Sequence, residues 1–226
     1  ARLESAPKAR VLEGGSGWFF GNVALSKGGA WSGVLRADAK AARVRVGTRR
    51  SLLDAAFSAA VESDRRGLER GSFGDVLLEV TSAEGRREDD SPLRASIRAP
   101  RVDWTGFPPN GLRGRASLAA PRIEPVLAAL GMPPIVLSLW PDAPLDASAR
   151  FVFEEDALDV RLDLARSGAF RAMGRLRVCS PPKGAFLVKN GPFSVGLAVR
   201  GDGVRVVPLA SDKWLAENAP QCPDVE

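Results

Sequence analysis

The sequence predicts a mainly β protein built as one curved antiparallel meander sheet, open or half-closed, with one or two short helices. Apolar and polar residues alternate over most of the chain, as in LDVRLDLARSGAFRAMGRLRV at residues 158–178. A period of two is typical of a strand with one buried face. Turn sequences as short as RSGA and RGDG separate successive strand candidates. Such short connections join antiparallel neighbours, whereas parallel strands need a long crossover.

The length bounds the domain organisation. The chain has 226 residues, enough for one sizeable β domain or two small ones. We expect residues 1–16, which are mostly polar, to form a flexible N-terminal lead-in. Residues 17–210 are expected to form a single elongated antiparallel β domain with a helical insertion near residues 121–131. Residues 211–226 then supply a short helix and a polar C-terminal tail.

Strand candidates fill both halves of this domain. KGG at residues 27–29 predicts a hairpin turn. The stretch LLDAAFSAAVES at residues 52–63 is ambiguous, because its alanines suit a helix, but its strict period of two favours a strand. The alternation continues through GSFGDVLLEVTS, PLRASIRAPRVDW and LRGRASLAA, and five more strand candidates follow after residue 146.

Two stretches have helical features. In PRIEPVLAALG, apolar residues recur at helical spacing, and the flanking Pro121 and Gly131 are typical of a helix start and a helix end. In SDKWLAEN near the C-terminus, Ser211 or Asp212 can serve as the N-cap. The first helix would interrupt the sheet, and the second would follow its last strand.

The composition argues against enzyme chemistry. The sequence contains no His and no Tyr, so the commonest general base, the commonest zinc ligand and the phenolic acid are missing. Two Cys residues cannot form a tetrahedral zinc site by themselves. Ser180 and Ser211 have no His partner for a catalytic triad. We therefore expect no enzyme activity, no catalytic residue, no metal site and no cofactor.

The formal net charge is +5 and is carried largely by Arg. Such a charge can attract anionic lipid headgroups or nucleic acid. A GC-rich genome, which favours Arg codons, gives the same composition without any such partner. Acidic residues are interleaved with the basic ones and no block of Lys and Arg is present, which argues against a nucleic-acid partner.

Two features bear on the cellular compartment. The longest apolar run, GMPPIVLSLWP, has about ten residues, short of the roughly 20 that a membrane span needs. Ala1 is not an initiator Met, so we expect either a removed targeting or anchor segment or a start inside a longer protein. A disulfide between Cys179 and Cys222 would close a loop of roughly 44 residues, add about 4 kcal/mol of stability and indicate an oxidising compartment. Two reduced cysteines are the alternative.

The alternating strands give the sheet one long apolar face, which a second sheet, closure into a barrel, or a bound ligand has to cover. Many positions on this face are Ala or Gly. Such small residues either leave room for an acyl chain or let a sheet or helix approach closely, and the sequence leaves both readings open. The apolar residues expected to form the wall of a ligand-binding groove are Phe57, Val76, Leu78, Ile97, Leu112, Leu118, Leu158, Val160, Leu162, Leu164, Phe170, Leu176, Phe193, Val195, Leu197 and Val199.

Three stretches together resemble bacterial AsmA-like proteins, the group that includes the translocation and assembly module. They are LDAAFSAAVESDRRGLERGSFGDVLLEV, GLRGRASLAAPRIEPVLAALG and ALDVRLDLARSGAFRAMGRLRV. The resemblance is one of pattern over residues 17–210, without an invariant motif. It implies an elongated, strongly curved sheet, a β-taco, whose apolar groove holds lipid acyl chains. It also implies a periplasmic location behind an N-terminal membrane anchor.

We therefore expect a non-enzymatic periplasmic protein that binds or transfers phospholipid or another apolar ligand, anchored to the inner membrane by a segment before Ala1. The chain is short for a protein that bridges two membranes. It is similar in size and in β-rich pattern to the type II secretion protein N. The alternative is accordingly a structural or assembly component of a secretion system, with a cell-envelope protein as partner and an apolar face covered by protein.

Overall fold

The computed structural model describes residues 12–46, 49–63, 69–82, 93–106, 110–129, 143–154, 157–178, 182–200 and 203–220. The described strands are β1 (Leu12–Leu25), β2 (Trp31–Val46), β3 (Arg49–Ser63), β4 (Arg70–Ser82), β5 (Arg94–Thr105), β6 (Gly111–Ala120), β7 (Leu145–Glu154), β8 (Ala157–Ser167), β9 (Phe170–Val178), β10 (Lys183–Asn190), β11 (Phe193–Arg200) and β12 (Gly203–Pro208). The described helices are α1 (Ile123–Ala129) and α2 (Asp212–Asn218).

The twelve strands form one sheet in which sequence order is also spatial order, from β1 at one edge to β12 at the other. Every neighbouring pair is antiparallel. Among the described strands β1 and β12 are not paired with each other, so the sheet is an open meander rather than a closed barrel. The predicted fold class is therefore confirmed.

Several local predictions agree with these elements, among them the helix expected near residues 121–131, within which α1 lies, and one disagrees. Residues 52–63 lie in β3, as their period of two predicts. Ser211 is the N-cap of α2, and its Oγ accepts a hydrogen bond from the backbone N–H of Trp214 at 3.3 Å. The expected lead-in over residues 1–16 is wrong at its C-terminal end, because β1 already begins at Leu12. The sequence GGSG has no side-chain alternation to reveal this, but its backbone pairs with β2.

Bulges interrupt the register in β1, β2, β4, β5 and β8. In β2, Lys40 and Ala41 both lie opposite Asp54 of β3. Ala41 has a φ of 49°, and its N–H donates to Oδ1 of Asp54 at 2.9 Å. Asp75 in β4 has a similar φ of 48°. A bulge bends its strand and increases the local twist, so these sites curve the sheet.

The register assigns the strand residues to two faces. Residues opposite each other in an antiparallel pair point to the same side, and neighbours along a strand alternate. The side that carries Phe57, Leu78 and Ile97 is the apolar face. The opposite side, which carries Arg150 and Arg161, is the polar face.

The apolar face is concave. α1 packs on it with Ile123 and Val126 buried, and the cluster around them reaches from Leu53 in β3 to Ala165 in β8. Across a flat sheet these two strands would be about 24 Å apart, which is twice the diameter of roughly 10–12 Å that a helix has with its side chains. The sheet therefore wraps around α1, and α1 closes one end of the concave face.

Replacing Ala41 by Gly should stabilise the protein by about 0.5–1 kcal/mol, because Gly adopts the left-handed backbone without the steric cost that a Cβ adds. The matched control is Ala37→Gly in the regular part of β2, which should destabilise by a similar amount because Gly weakens a strand interior. Urea denaturation at equilibrium measures both changes. A loss of stability in both variants would contradict the left-handed conformation at the bulge.

Candidate functional site: an apolar groove

Two rows of apolar residues cross the whole sheet on its apolar face. In the first row the cross-strand partners are Val23, Gly33, Val61, Phe73, Val102, Gly114, Phe151, Val160, Leu176, Gly184, Val199 and Val204. In the second they are Phe19, Ala37, Phe57, Leu78, Ile97, Leu118, Ala147, Ala165, Ala172, Val188, Val195 and Pro208. Each row takes one residue from every strand, and eleven spacings of about 4.8 Å give a length of about 53 Å. Neither row contains a charged or hydrogen-bonding side chain.

The sixteen residues expected to line a groove are not sealed in a core. Fifteen of them have intermediate burial, and Phe193 is 70% exposed. Three other residues of the two rows, Val61, Val102 and Val188, are buried, as are Ile123 in α1 and Leu187 on the polar face. The middle of the apolar face is therefore partly open to solvent, which is unusual for a long apolar surface and is the property that makes it a candidate binding site.

Leu164 does not lie on the apolar face, contrary to the alternation in the sequence. A bulge in β8 places both Asp163 and Leu164 opposite Met173 of β9, and Leu164 opposite Ser148 of β7. These partners belong to the polar face. The extra residue returns Ala165 to the apolar face. The other fifteen predicted residues share the apolar face by register.

An aromatic cluster lies at the end of the concave face opposite α1. The rings of Trp31 in β2 and Trp104 in β5 have centroids 6.1 Å apart, although a flat sheet would separate the two strands by about 14 Å. The small residues Ser63 and Gly71 lie between them and leave space for the rings. Phe73 packs against Trp104 at 6.4 Å. The apolar groove is therefore the concave face between α1 and this aromatic cluster.

Neither indole N–H of this cluster has a hydrogen-bond acceptor among the described residues. The Nε1 atoms of Trp31 and Trp104 are both buried and unpaired. A buried donor without an acceptor costs about 1–3 kcal/mol. No local sequence pattern assigns these tryptophans to one cluster, because their juxtaposition depends on curvature that brings β2 and β5 together.

Several small residues on the apolar face are covered by neighbouring rings. A Cβ at Gly114 would lie 3.2 Å from the ring of Phe151 on β7, and a Cβ at Gly174 would collide with the ring of Phe186 on β10. At these positions the missing side chain accommodates an aromatic ring from the next strand. At these positions the small residues allow close packing within the sheet and do not create additional space for a ligand.

The polar face carries a row of four arginines directly opposite one another, namely Arg115, Arg150, Arg161 and Arg175 on β6 to β9. Like charges in this arrangement destabilise a sheet. Asp163 offsets the repulsion, because its carboxylate accepts from Nη2 of Arg150 at 2.8 Å and lies 3.5 Å from Nε of Arg161. The hydrogen bond and the charge of Asp163 raise the pKa of Arg150 above its ordinary value. The bulge that displaces Leu164 also places this carboxylate.

An apolar patch on the polar face lies under α2 and was missed from the sequence. Ala185 and Leu187 of β10 are fully buried there, and Gly196 of β11 lies directly beneath the ring of Trp214. The sequence does indicate this patch, because β10 and β11 carry apolar residues at positions where the alternation would place polar ones. The disulfide predicted between Cys179 and Cys222 involves residues outside the described ranges.

Comparisons of the chain with models of protein families, with curated proteins and with solved structures find no match. The AsmA-like resemblance therefore stays a prediction from sequence pattern. The fold and the groove define the class of protein in structural terms: an open antiparallel meander with a concave, partly exposed apolar face. Within the described ranges, no helix is long and apolar enough to cross a membrane. No group of three or more His, Cys, Asp or Glu side chains in those ranges could hold a metal ion.

Replacing Asp163 by Asn should destabilise the protein by about 1–2 kcal/mol at low salt, because a partly buried carboxylate with hydrogen bonds to Arg150 is lost and the arginine row is left uncompensated. The difference in unfolding free energy between the wild type and the variant should become smaller as salt is added, because salt screens the repulsion between the arginines. Denaturation at several ionic strengths measures this difference. Asp103→Asn, at an exposed pair with Arg101, is the control and should change stability much less. A deficit that does not depend on salt would contradict the electrostatic role.

Proposed function

We propose that this protein is a non-enzymatic carrier that binds a lipid, or a similar ligand with long alkyl chains, in the apolar groove. The observation that carries the proposal is the pair of apolar rows, which are continuous over all twelve strands and in which most of the residues are not fully buried. An apolar surface that is aligned by register, concave and accessible matches the shape and chemistry of an extended alkyl chain.

The energetics fit such a ligand. Each buried CH₂ group contributes about 0.8 kcal/mol, so a chain lying along the groove gains affinity with its length. The two rows offer no hydrogen bonds, so recognition would depend on the apolar chain, and the bound chain could slide along the rows without breaking polar contacts. Headgroups would stay in water at the rim of the groove.

Trp31 and Trp104 lie at one end of the groove. Both tryptophans are reporters, since occupation of the adjoining groove would change their fluorescence.

A structural or assembly role is the second candidate, and α1 is the observation that favours it. This helix fills one end of the concave face with Ile123 and Val126, so segments of protein can cover this surface. In that case the middle of the groove would bind a partner's side chains. The periplasmic location, the membrane anchor and a secretion-system partner follow from the sequence resemblances and stay predictions.

Native mass spectrometry of the purified protein, followed by solvent extraction and lipid analysis, tests the two candidates. Lipid bound at a defined stoichiometry is the result expected for the carrier. A protein that is free of lipid, does not take up lipid from mixed micelles and shows no change in tryptophan fluorescence would contradict the carrier function and favour the assembly role.

Leu162→Glu should abolish lipid binding and leave the protein folded, because a carboxylate in the middle of the groove repels an alkyl chain but remains accessible to water. The matched control is Ser117→Glu on the exposed polar face, which should retain lipid. Mass spectrometry measures lipid content and far-UV circular dichroism measures folding. If Leu162→Glu unfolds the protein while Ser117→Glu does not, residue 162 belongs to a filled core and not to a groove.

A further inference from the structure

The edge strand β1 presents apolar side chains on both faces of the sheet. On the polar face Trp18 and Phe20 are 54% and 52% exposed, and on the apolar face Phe19 and Leu25 are 68% and 75% exposed. No charged residue occurs from Gly14 to Leu25. One side of this strand pairs with β2, and at the other side its backbone groups have no neighbouring strand among those described.

The opposite edge has the features that protect edge strands. β12 has 6 residues, whereas β1 has 14. β12 also ends at Pro208 and carries the exposed Arg205. Short length, proline and charge are among the means by which proteins prevent edge-to-edge association. Over Gly14–Leu25 β1 has none of them, so the two edges differ in the way expected if one of them is a docking surface.

We infer that β1 is a homodimer interface, in which two copies of this chain pair their β1 strands antiparallel around a two-fold axis at Phe19. This inference needs no ligand and goes beyond the carrier function. An antiparallel pair of identical strands is self-complementary. Because the paired stretch is uncharged, no like charges face each other across it, in contrast to the arginine-rich polar face.

The register follows from the two faces. The apolar faces of both copies stay on the same side when odd-numbered residues pair with odd-numbered residues and even-numbered residues with even-numbered ones. Centring on Phe19 places Trp18 of each copy opposite Phe20 of the other, giving two aromatic cross-strand pairs on the polar face, a favourable combination in sheets. The concave faces of the two copies would then continue into each other.

The exposed apolar side chains of β1 supply a substantial part of the area that such an interface needs. An aromatic side chain has about 150–250 Å² to bury, so Trp18, Phe19 and Phe20 together expose roughly 300–400 Å². A stable interface buries about 800 Å² on each partner. The aromatic residues alone approach half of this area, before Val23, Leu25 and the edge backbone are counted.

Sedimentation velocity of the full chain over a range of concentrations tests the inference. The wild-type protein should sediment as a dimer. Trp18→Lys and Phe20→Glu should each weaken the dimer at least about tenfold, a change of about 1.4 kcal/mol, because each places a charge in the apolar contact. Both should fold, because Asp38 lies opposite Trp18 and Arg36 lies opposite Phe20 within the chain, so each new charge meets an opposite one. Val206→Lys on β12 is the matched control and should remain dimeric.

Mixing the two variants gives the sharpest result. In a mixed dimer the introduced Lys and Glu face each other, so Trp18→Lys mixed with Phe20→Glu should form heterodimers that native mass spectrometry resolves by mass. A wild-type monomer at all concentrations would overturn the inference, as would dimers that survive both variants, dimers that Val206→Lys dissolves, or variants that do not rescue each other. A monomer that binds lipid vesicles through Trp18 would also overturn it. Because Trp18 and Phe20 are on the polar face, both variants should retain the lipid content of the wild type, which separates this test from that of the carrier function.

Discussion

The constraint on which the structure depends is that apolar side chains stay on one side of the sheet through twelve strands. A shift of one residue in any strand would move its apolar residues to the opposite face. Each bulge adds one residue and would reverse the alternation beyond it if the sequence did not compensate. It does so with an apolar spacing of three: Ala39 and Ala42 flank the bulge in β2, and Leu162 and Ala165 flank that in β8. The rows therefore remain continuous although the strands bend.

The same bulges curve the sheet, and this curvature forms the groove. They increase the local twist, and the curved sheet encloses α1 at one end and brings Trp31 against Trp104 at the other. Without that curvature the apolar residues would form a flat surface exposed to water, a liability for aggregation. With it, α1 and the aromatic cluster pack on the concave face, and most of the other residues of the two rows remain at least partly accessible. The groove is thus what is left when a long alternating meander is bent but not closed.

The sequence predicts the periodic features well and the features that depend on distant contacts poorly. Alternation identifies the apolar face, because a period of two is a local property, and fifteen of the sixteen proposed groove residues share that face. Leu164 fails because a bulge was not recognised from the spacing of Leu162 and Ala165. The aromatic cluster could not be foreseen, since it unites residues that are far apart along the chain. The patch under α2 was indicated by apolar residues at polar-face positions of β10 and β11, but these residues do not show which element covers them. The same limit applies to any occupant of the groove.

An open sheet keeps its groove accessible at the cost of two unpaired edges. Closing the sheet into a barrel would pair the backbone groups of both edge strands but would make the groove inaccessible. In an open sheet, each edge strand therefore has to be protected or paired separately. At β12 this is achieved within the chain by shortness, Pro208 and Arg205, while α2 covers the neighbouring strands on the polar face. Between Gly14 and Leu25, β1 has no proline and no charge and is not short, and the exposed aromatic side chains raise the free energy of the isolated chain. Pairing of that edge with a second copy would satisfy it without closing the groove, which is why the open architecture and an association through β1 are physically compatible.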